Sequence, residues 1–483
     1  HDMNYRMTAF ILGKMLGVEG LVLLIPMTVA LLYREDNFIY FPITSVLLIL
    51  IYLLLGRKKP ENTNIYMKEG LVIVASEWLL WSVFGALPFF LSGSIPSYID
   101  AFFETVSGFT TTGSTILENI AGLSYGMNFW RCLTHWIGGM GVLVFVMVLT
   151  SLDDKNSMHL MRAEVPGPEA DKLVPKARST AKILYGMYFA LTALEVIFLL
   201  FGGMNLYDSI IHAFSTAGTG GFNNRNESVA FYDSAYIDGV ITVFMILFGI
   251  NFNLYFLLLL KKFKAVFKNE EARIYLGIIA ATTALIVLNI THIYGSPLKA
   301  FRYAVFQVAS VITTTGFVTA NYDLWPEFSK ALLLMIMVVG ACAGSTGGGM
   351  KVSRILILLK SVKREVHRML HPKAVHIVRV NGQKISNETI HGVYIYFIAY
   401  VFILIGSVII VSLDNFDFTT TFSAVLTEMN NVGPGLALSG PVENFHKFSG
   451  LSKIVFSLDM LIGRLEIFPF LMLASPSLWR RKF

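Results

Sequence analysis

Apolar blocks long enough to cross a bilayer recur along the whole chain, and no other feature restricts its fold as tightly. A hydrocarbon layer of about 30 Å takes roughly 20 helical residues. Ile241–Leu260 and Ile395–Leu413 reach that length, or nearly so, without one charged residue. Backbone in hydrocarbon must satisfy its own hydrogen bonds, so such blocks read as helices. Ten crossings are expected, at about 8–33, 38–56, 71–91, 128–150, 183–202, 237–260, 274–293, 329–362, 390–412 and 451–474, the eighth interrupted. Only 14% of residues are charged and 55% are hydrophobic, where a soluble domain carries about 25% charged residues. His1-Asp2 before Met3 reads as a tag remnant, set aside from fold reasoning. Cys132 and Cys342 give neither a disulfide framework nor a metal spacing.

Charge placement orients the crossings. The segments 92–127, 202–238, 294–328 and 412–450 hold four Lys/Arg in total, whereas 57–69, 151–182, 261–273 and 351–384 hold 24. By the positive-inside rule the basic loops and both termini face the cytoplasm. The net charge of +6 therefore reports topology and not a nucleic-acid surface. Within the last of these loops, Val378–Ile385 reads as a short hairpin with Asn381-Gly382 as its type I′ turn. Glu164–Pro168 reads as a rigid inner loop and a candidate docking surface.

Between crossings lie four semi-apolar stretches, around 97–115, 205–223, 297–317 and 417–435, too short or too polar to span. Aligned on Gly113, Gly221, Gly316 and Gly433, they form one pattern. Six residues earlier stand Ser107, Ser215, Ser310 and Thr427, and apolar residues recur at seven and eleven before. That spacing suits a short helix buried on one face. The repeat units are expected at 69–180, 181–270, 271–386 and 387–483, behind two extra helices in 1–68. The fold class is thus an all-α membrane protein with four pseudo-symmetric helix–pore loop–helix repeats around one pore.

Four short helices converging by their C-termini would aim partial negative charge at one point. The residues that follow are Thr110-Thr111-Thr112-Gly113, Gly218-Thr219-Gly220-Gly221, Thr313-Thr314-Thr315-Gly316 and Asn430-Asn431-Val432-Gly433. They would offer rings of backbone carbonyls able to replace the hydration shell of a monovalent cation. No carboxylate stands in these four segments, as Ca²⁺ or Mg²⁺ would favour. The cargo expected is K⁺.

These motifs, with Trp136–Gly141, Gly344–Gly349, Asn431–Gly435 and Gly463–Glu466, resemble those of the Trk/Ktr/HKT superfamily of potassium transporters, in its bacterial Trk branch, over nearly the whole chain. The resemblance implies a bacterial cytoplasmic-membrane protein that takes up potassium through a channel-like pore. It also implies a homodimer with one pore per subunit. A cytosolic TrkA-like partner with nucleotide-binding domains (NAD or ATP) would control it, this chain binding no cofactor itself. In that superfamily a serine at the first filter glycine goes with sodium; Gly113 complies with the potassium pattern.

Five glycines fall within Gly340–Gly349 in the eighth block. Each costs a helix about 1 kcal/mol relative to alanine, so the helix should break into a loop beneath the filter. The resemblance implies the same: Gly344, Ser345, Thr346, Gly347, Gly348 and Gly349 would gate the pore. Arg464 sits inside the tenth block, where a charge is functional by default. By resemblance it projects into the pore below the filter, and pairing with Asp459 or Glu466 is compatible with that. His135 reads as a packing residue; Glu77 and Glu195 carry no readable role. An ion-coupled symporter (H⁺ or Na⁺) is the alternative, against which a fourfold repeat speaks. No H-E-x-x-H, G-x-S-x-G or paired carboxylates on a crossing point to an enzyme.

Overall fold

Water-free apolar blocks have only one local solution, and the chain takes it almost throughout. The computed structural model describes residues 3–141, 177–372 and 376–476. The second half of the fourth expected crossing, the Glu164–Pro168 loop, His1-Asp2 and residues 477–483 lie outside the described residues. Among those described, six helical stretches are long and apolar enough to cross a membrane, and a seventh if one bent pair counts as a span.

The chain opens with α1 (Tyr5–Val22), α2 (Leu24–Leu32), α3 (Tyr40–Leu55), α4 (Met67–Gly85) and α5 (Leu87–Leu91). A short helix α6 (Tyr98–Phe109) and α7 (Tyr125–Met140) follow. The same order of long helix, short helix, long helix continues in α8 (Ala177–Phe201), α9 (Leu206–Ala217) and α10 (Ala235–Phe248). After α11 (Phe252–Leu259) and α12 (Phe263–Lys268) it recurs in α13 (Glu270–Tyr294), α14 (Pro297–Ile312) and α15 (Glu327–Val339). The chain resumes as α16 (Val352–Leu370), then α17 (Asn387–Val411), α18 (Phe418–Asn430), α19 (Gly450–Arg464) and α20 (Phe468–Ala474). The expected hairpin is present: Arg379 pairs with Lys384 and Val380 with Gln383, and both turn residues have positive φ.

Two expected crossings differ from the sequence reading. The block 237–260 is not one helix, because α10 and α11 meet at 90°. Gly249 lies so close to Tyr275 that a Cβ would stand 2.3 Å from its hydroxyl, and the Asn251 side chain caps the new helix by accepting from the Asn253 amide at 2.9 Å. The block 451–474 is also divided, at Glu466 and Ile467, both in the left-handed region. A hydropathy window does not see the first break, which lies in an apolar run, whereas the second falls at a charged residue, Glu466, close to Arg464.

The first two crossings join through small residues, as helices in lipid do when no hydrophobic force draws them together. Gly13, Gly17 and Gly20 of α1 form a stripe against α3. A Cβ added to each in turn would fall 2.7 Å from the Gly56 amide nitrogen, 2.9 Å from the Tyr52 ring and 3.1 Å from Leu48. Ser45 closes the seam by donating to the Gly20 carbonyl at 2.6 Å. Gly17→Leu overfills this contact, so thermal unfolding of the detergent-solubilised protein should show a loss of about 1–3 kcal/mol; an unchanged melting curve would mean the stripe does not hold the helices together.

Candidate functional site

The short helices α6, α9, α14 and α18 end in the same way. The residue two before each aligned glycine turns left-handed: φ is 56° at Thr111, 56° at Thr219, 60° at Thr314 and 56° at Asn431. The next amide then folds back to the carbonyl five residues earlier: Thr112 to Ser107, Gly220 to Ser215, Thr315 to Ser310 and Val432 to Thr427, at 2.8–3.0 Å. The hydroxyl column seen in the sequence therefore marks where each turn closes. Each glycine follows with φ between 83° and 101°, a region that costs an L side chain about 1–2 kcal/mol.

The four tips meet in cyclic order. A Cβ on Gly113 would lie 1.7 Å from the Gly220 carbonyl oxygen. One on Gly221 would lie 2.2 Å from that of Thr315, and one on Gly316 2.2 Å from that of Val432. On Gly433 it would lie 2.8 Å from the Thr112 carbonyl oxygen, which closes the circle. The four tips thus meet at one locus, and every threonine and asparagine in Thr110–Gly113, Gly218–Gly221, Thr313–Gly316 and Asn430–Gly433 is buried. Above it opens a cavity lined by the four glycines together with Ser114, Arg131, Asn223, Arg225 and Glu443.

Below it lies the interrupted block. Helix α15 stops at Val339 and α16 begins at Val352, so Gly340–Lys351 is irregular and not a glycine-rich packing face. Its peptide groups are tied from several sides. Gly348 donates to the Thr314 hydroxyl at 2.6 Å, Gly349 to the Asn430 carbonyl at 3.1 Å, and the Thr219 hydroxyl to the Thr346 carbonyl at 3.0 Å. Arg464 donates to the carbonyls of Thr346 at 2.8 Å, Gly138 at 2.6 Å and Gly139 at 2.7 Å. The Lys351 ammonium bonds back onto the Gly347 carbonyl. Of the two carboxylates weighed as partners for Arg464, Glu466 pairs with Arg354 and Asp459 accepts from Ser407 at 2.7 Å.

Several supporting residues escaped the sequence reading. Behind the first tip, Arg131 bonds Glu104 at 2.5 Å and the Asn223 carbonyl at 3.0 Å, and its guanidinium lies 3.6 Å from the Phe222 ring centroid. Glu104 also accepts from Thr115 at 2.8 Å and from the Ile116 amide at 2.9 Å. A charge within an expected crossing was the available signal. Glu271 accepts from the amides of Ala343 at 2.7 Å and Ser353 at 3.1 Å, clasping both ends of the irregular segment; nothing in the sequence around it announces this. His135 is a packing residue, as expected, its Nδ1 2.7 Å from the Gly108 carbonyl and its ring stacked on Phe222. Glu77 and Glu195 are fully buried. No group of three or more His, Cys, Asp or Glu among the described residues is arranged for a metal ion.

Comparison with known proteins decides the affiliation. The family described as "TrkH: Cation transport protein" matches residues 40–481. The chain belongs to this family. It is 35% identical to the Trk system potassium uptake protein TrkH of Escherichia coli K12 over 484 residues, covering 99% of this chain and all of that one. It is 30% identical to TrkG of the same strain, covering 99% of each chain. The crystal structure of the potassium transporter TrkH from Vibrio parahaemolyticus superposes with a TM-score of 0.89 at 33% identity, over 99% of this chain and 100% of that one. Membership in the TrkH family makes this a multi-pass membrane transport protein and not an enzyme.

In this TrkH-family chain the Arg131–Glu104 pair should brace the first tip. Arg131→Met leaves Glu104 buried without its cation and should cost about 3–5 kcal/mol. Adding Glu104→Gln should restore part of that loss in thermal unfolding; equal losses in the single and double variants would show that the pair is not coupled.

Proposed function

We propose that this chain takes up potassium across the bacterial cytoplasmic membrane through a gated, channel-like pore. The single observation that carries the reading is the closed circle of four glycine-bearing tips, each pressed against a carbonyl of the next. Buried irregular backbone of this kind is tolerated at membrane depth only where protein surrounds it or it lines a watery path. In this reading Thr110–Gly113, Gly218–Gly221, Thr313–Gly316 and Asn430–Gly433 form the selectivity filter. Their carbonyl oxygens stand in for the hydration shell of K⁺, and the C-terminal ends of α6, α9, α14 and α18 add negative potential. Four helix–pore loop–helix repeats surround the axis, behind two N-terminal helices, for ten crossings with both termini in the cytoplasm.

Gly344–Gly349 and Arg464 form the gate. The hydrogen bonds that the loop accepts from Thr219 and Arg464 and donates to Thr314 and Asn430 hold it directly against three of the four tips, and the fixed charge of Arg464 opposes a cation leaving the filter. The names of the relatives support potassium as cargo, and a Trk system implies regulatory components. The homodimer and a cytosolic TrkA-like subunit binding NAD or ATP belong to the same proposal, with nucleotide acting on this chain only through that partner. The fourfold circle supports a pore over a symporter, whose sites usually lie between two repeats.

Uptake of radioactive rubidium, as a potassium tracer, and of sodium by the purified protein in liposomes tests this directly. The wild type should favour the larger ion strongly. Gly113→Ser meets the Gly220 carbonyl and a positive φ, so it should lower that preference about tenfold; an unchanged ratio would remove the filter from these residues. Arg464→Ala releases three charge-assisted hydrogen bonds and should raise partner-free flux by roughly tenfold. Wild-type basal rates in that variant would mean Arg464 does not hold the gate.

A further inference from the structure

The bend between α10 and α11 does more than break a crossing. The 90° turn sends α11 (Phe252–Leu259) across the direction of α10, and α12 (Phe263–Lys268) follows after a second turn at Lys261, whose φ is 58°. Along this elbow Leu259, Leu260, Phe263 and Phe267 are 49–75% exposed. Lys261, Lys262, Lys264 and Lys268 stand among them, also exposed, and no Asp or Glu occurs between Phe248 and Asn269. Large apolar side chains interleaved with lysines on a segment that turns away from the preceding apolar helix suit the boundary between acyl chains and headgroups. There the lysine stems bury and their ammonium groups reach the phosphates.

Both ends of the elbow grip the irregular segment beneath the tips. At its start, the Gly249 carbonyl accepts from the Cys342 amide at 3.0 Å, the Phe252 amide donates to the Gly344 carbonyl at 3.0 Å, and the Phe248 carbonyl accepts from the Thr346 hydroxyl at 3.2 Å. Just past its end, Glu271 holds the amides of Ala343 and Ser353. The elbow is thus bonded to that segment through Phe252 and through the residues that flank it on either side.

We propose that the elbow 252–268 is a docking surface for anionic phospholipid of the cytoplasmic leaflet, and that its occupation steadies the segment 340–351 and lowers partner-free flux. The gating half rests on the pore and topology proposed above. Charge complementarity selects the occupant: four lysines without an intervening carboxylate attract an anionic leaflet, whereas a two-fold contact between copies would set these like charges against each other.

The test uses the full chain and the variant K261Q/K262Q/K264Q/K268Q, none of whose positions contributes to the tips or the irregular segment. Native mass spectrometry should find the wild type retaining more phosphatidylglycerol than the variant; equal retention overturns the docking surface. In vesicles of phosphatidylcholine with one quarter phosphatidylglycerol, wild-type rubidium flux should be about threefold below that in phosphatidylcholine alone, and the variant should show no difference. Flux equal in both lipids for a wild type that retains the lipid overturns the coupling. A variant that loses a dimer while keeping its lipid would make the elbow a protein contact and overturn the proposal. Absence of flux in every vesicle, with lipid retention as expected, would instead count against the potassium pore while leaving the docking surface supported.

Discussion

A peptide group buried in a membrane protein without a helical partner must find another, and the arrangement of this molecule follows from how it solves that problem at one place. Four helix ends and one broken helix bring their irregular backbone to a single locus, where each supplies what the others lack. The amide after each left-handed residue returns to its own helix. Peptide groups of the loop Gly340–Lys351 find partners in Thr219, Thr314, Asn430, Glu271 and Arg464, and in Gly249 and Phe252. Removing any one of these elements would strand polar groups, each worth about 1–3 kcal/mol when left unpaired.

Glycine is required at the four tips for two separate reasons that coincide. The backbone there has positive φ, and the space where a Cβ would sit is filled by the carbonyl of the neighbouring tip. Either alone would disfavour a side chain; together they make the glycine the hinge of both conformation and assembly. Around this circle the chain places a buried Arg131–Glu104 pair behind the first tip and the His135 ring between the first and second. The inner polar scaffold is fixed by packing against Phe222, whose ring both residues touch.

Much of this was legible in the sequence because it repeats. The glycine column and the hydroxyl six residues before it predict four equivalent turns, and the structure gives them equivalent backbone angles. The five glycines in Gly340–Gly349 predict a break, and the helix breaks there. What was not legible depends on long-range partners. The bend at Gly249–Asn251 lies in an apolar run whose hydropathy favours one straight helix, and it exists because Tyr275 and the irregular loop occupy the space beside it. Glu271 is one of two adjacent glutamates at a helix start, a common capping pattern, and its grip on residues 343 and 353 arises only once α13 and α16 are side by side. Arg464 was legible as a charge out of place, but its three carbonyl partners come from segments more than 100 residues away.

The central claim is that backbone oxygens of the four tips hold a dehydrated alkali ion on a shared axis. Anomalous diffraction from crystals grown with rubidium or thallium, both of which scatter strongly and replace potassium, addresses it with the least inference. Peaks on the axis between the tips, ringed by the carbonyls of residues 110–113, 218–221, 313–316 and 430–433, are the expected result. Ions bound only at carboxylates such as Glu443 in the cavity beside the four glycines, with the axis empty, would contradict it.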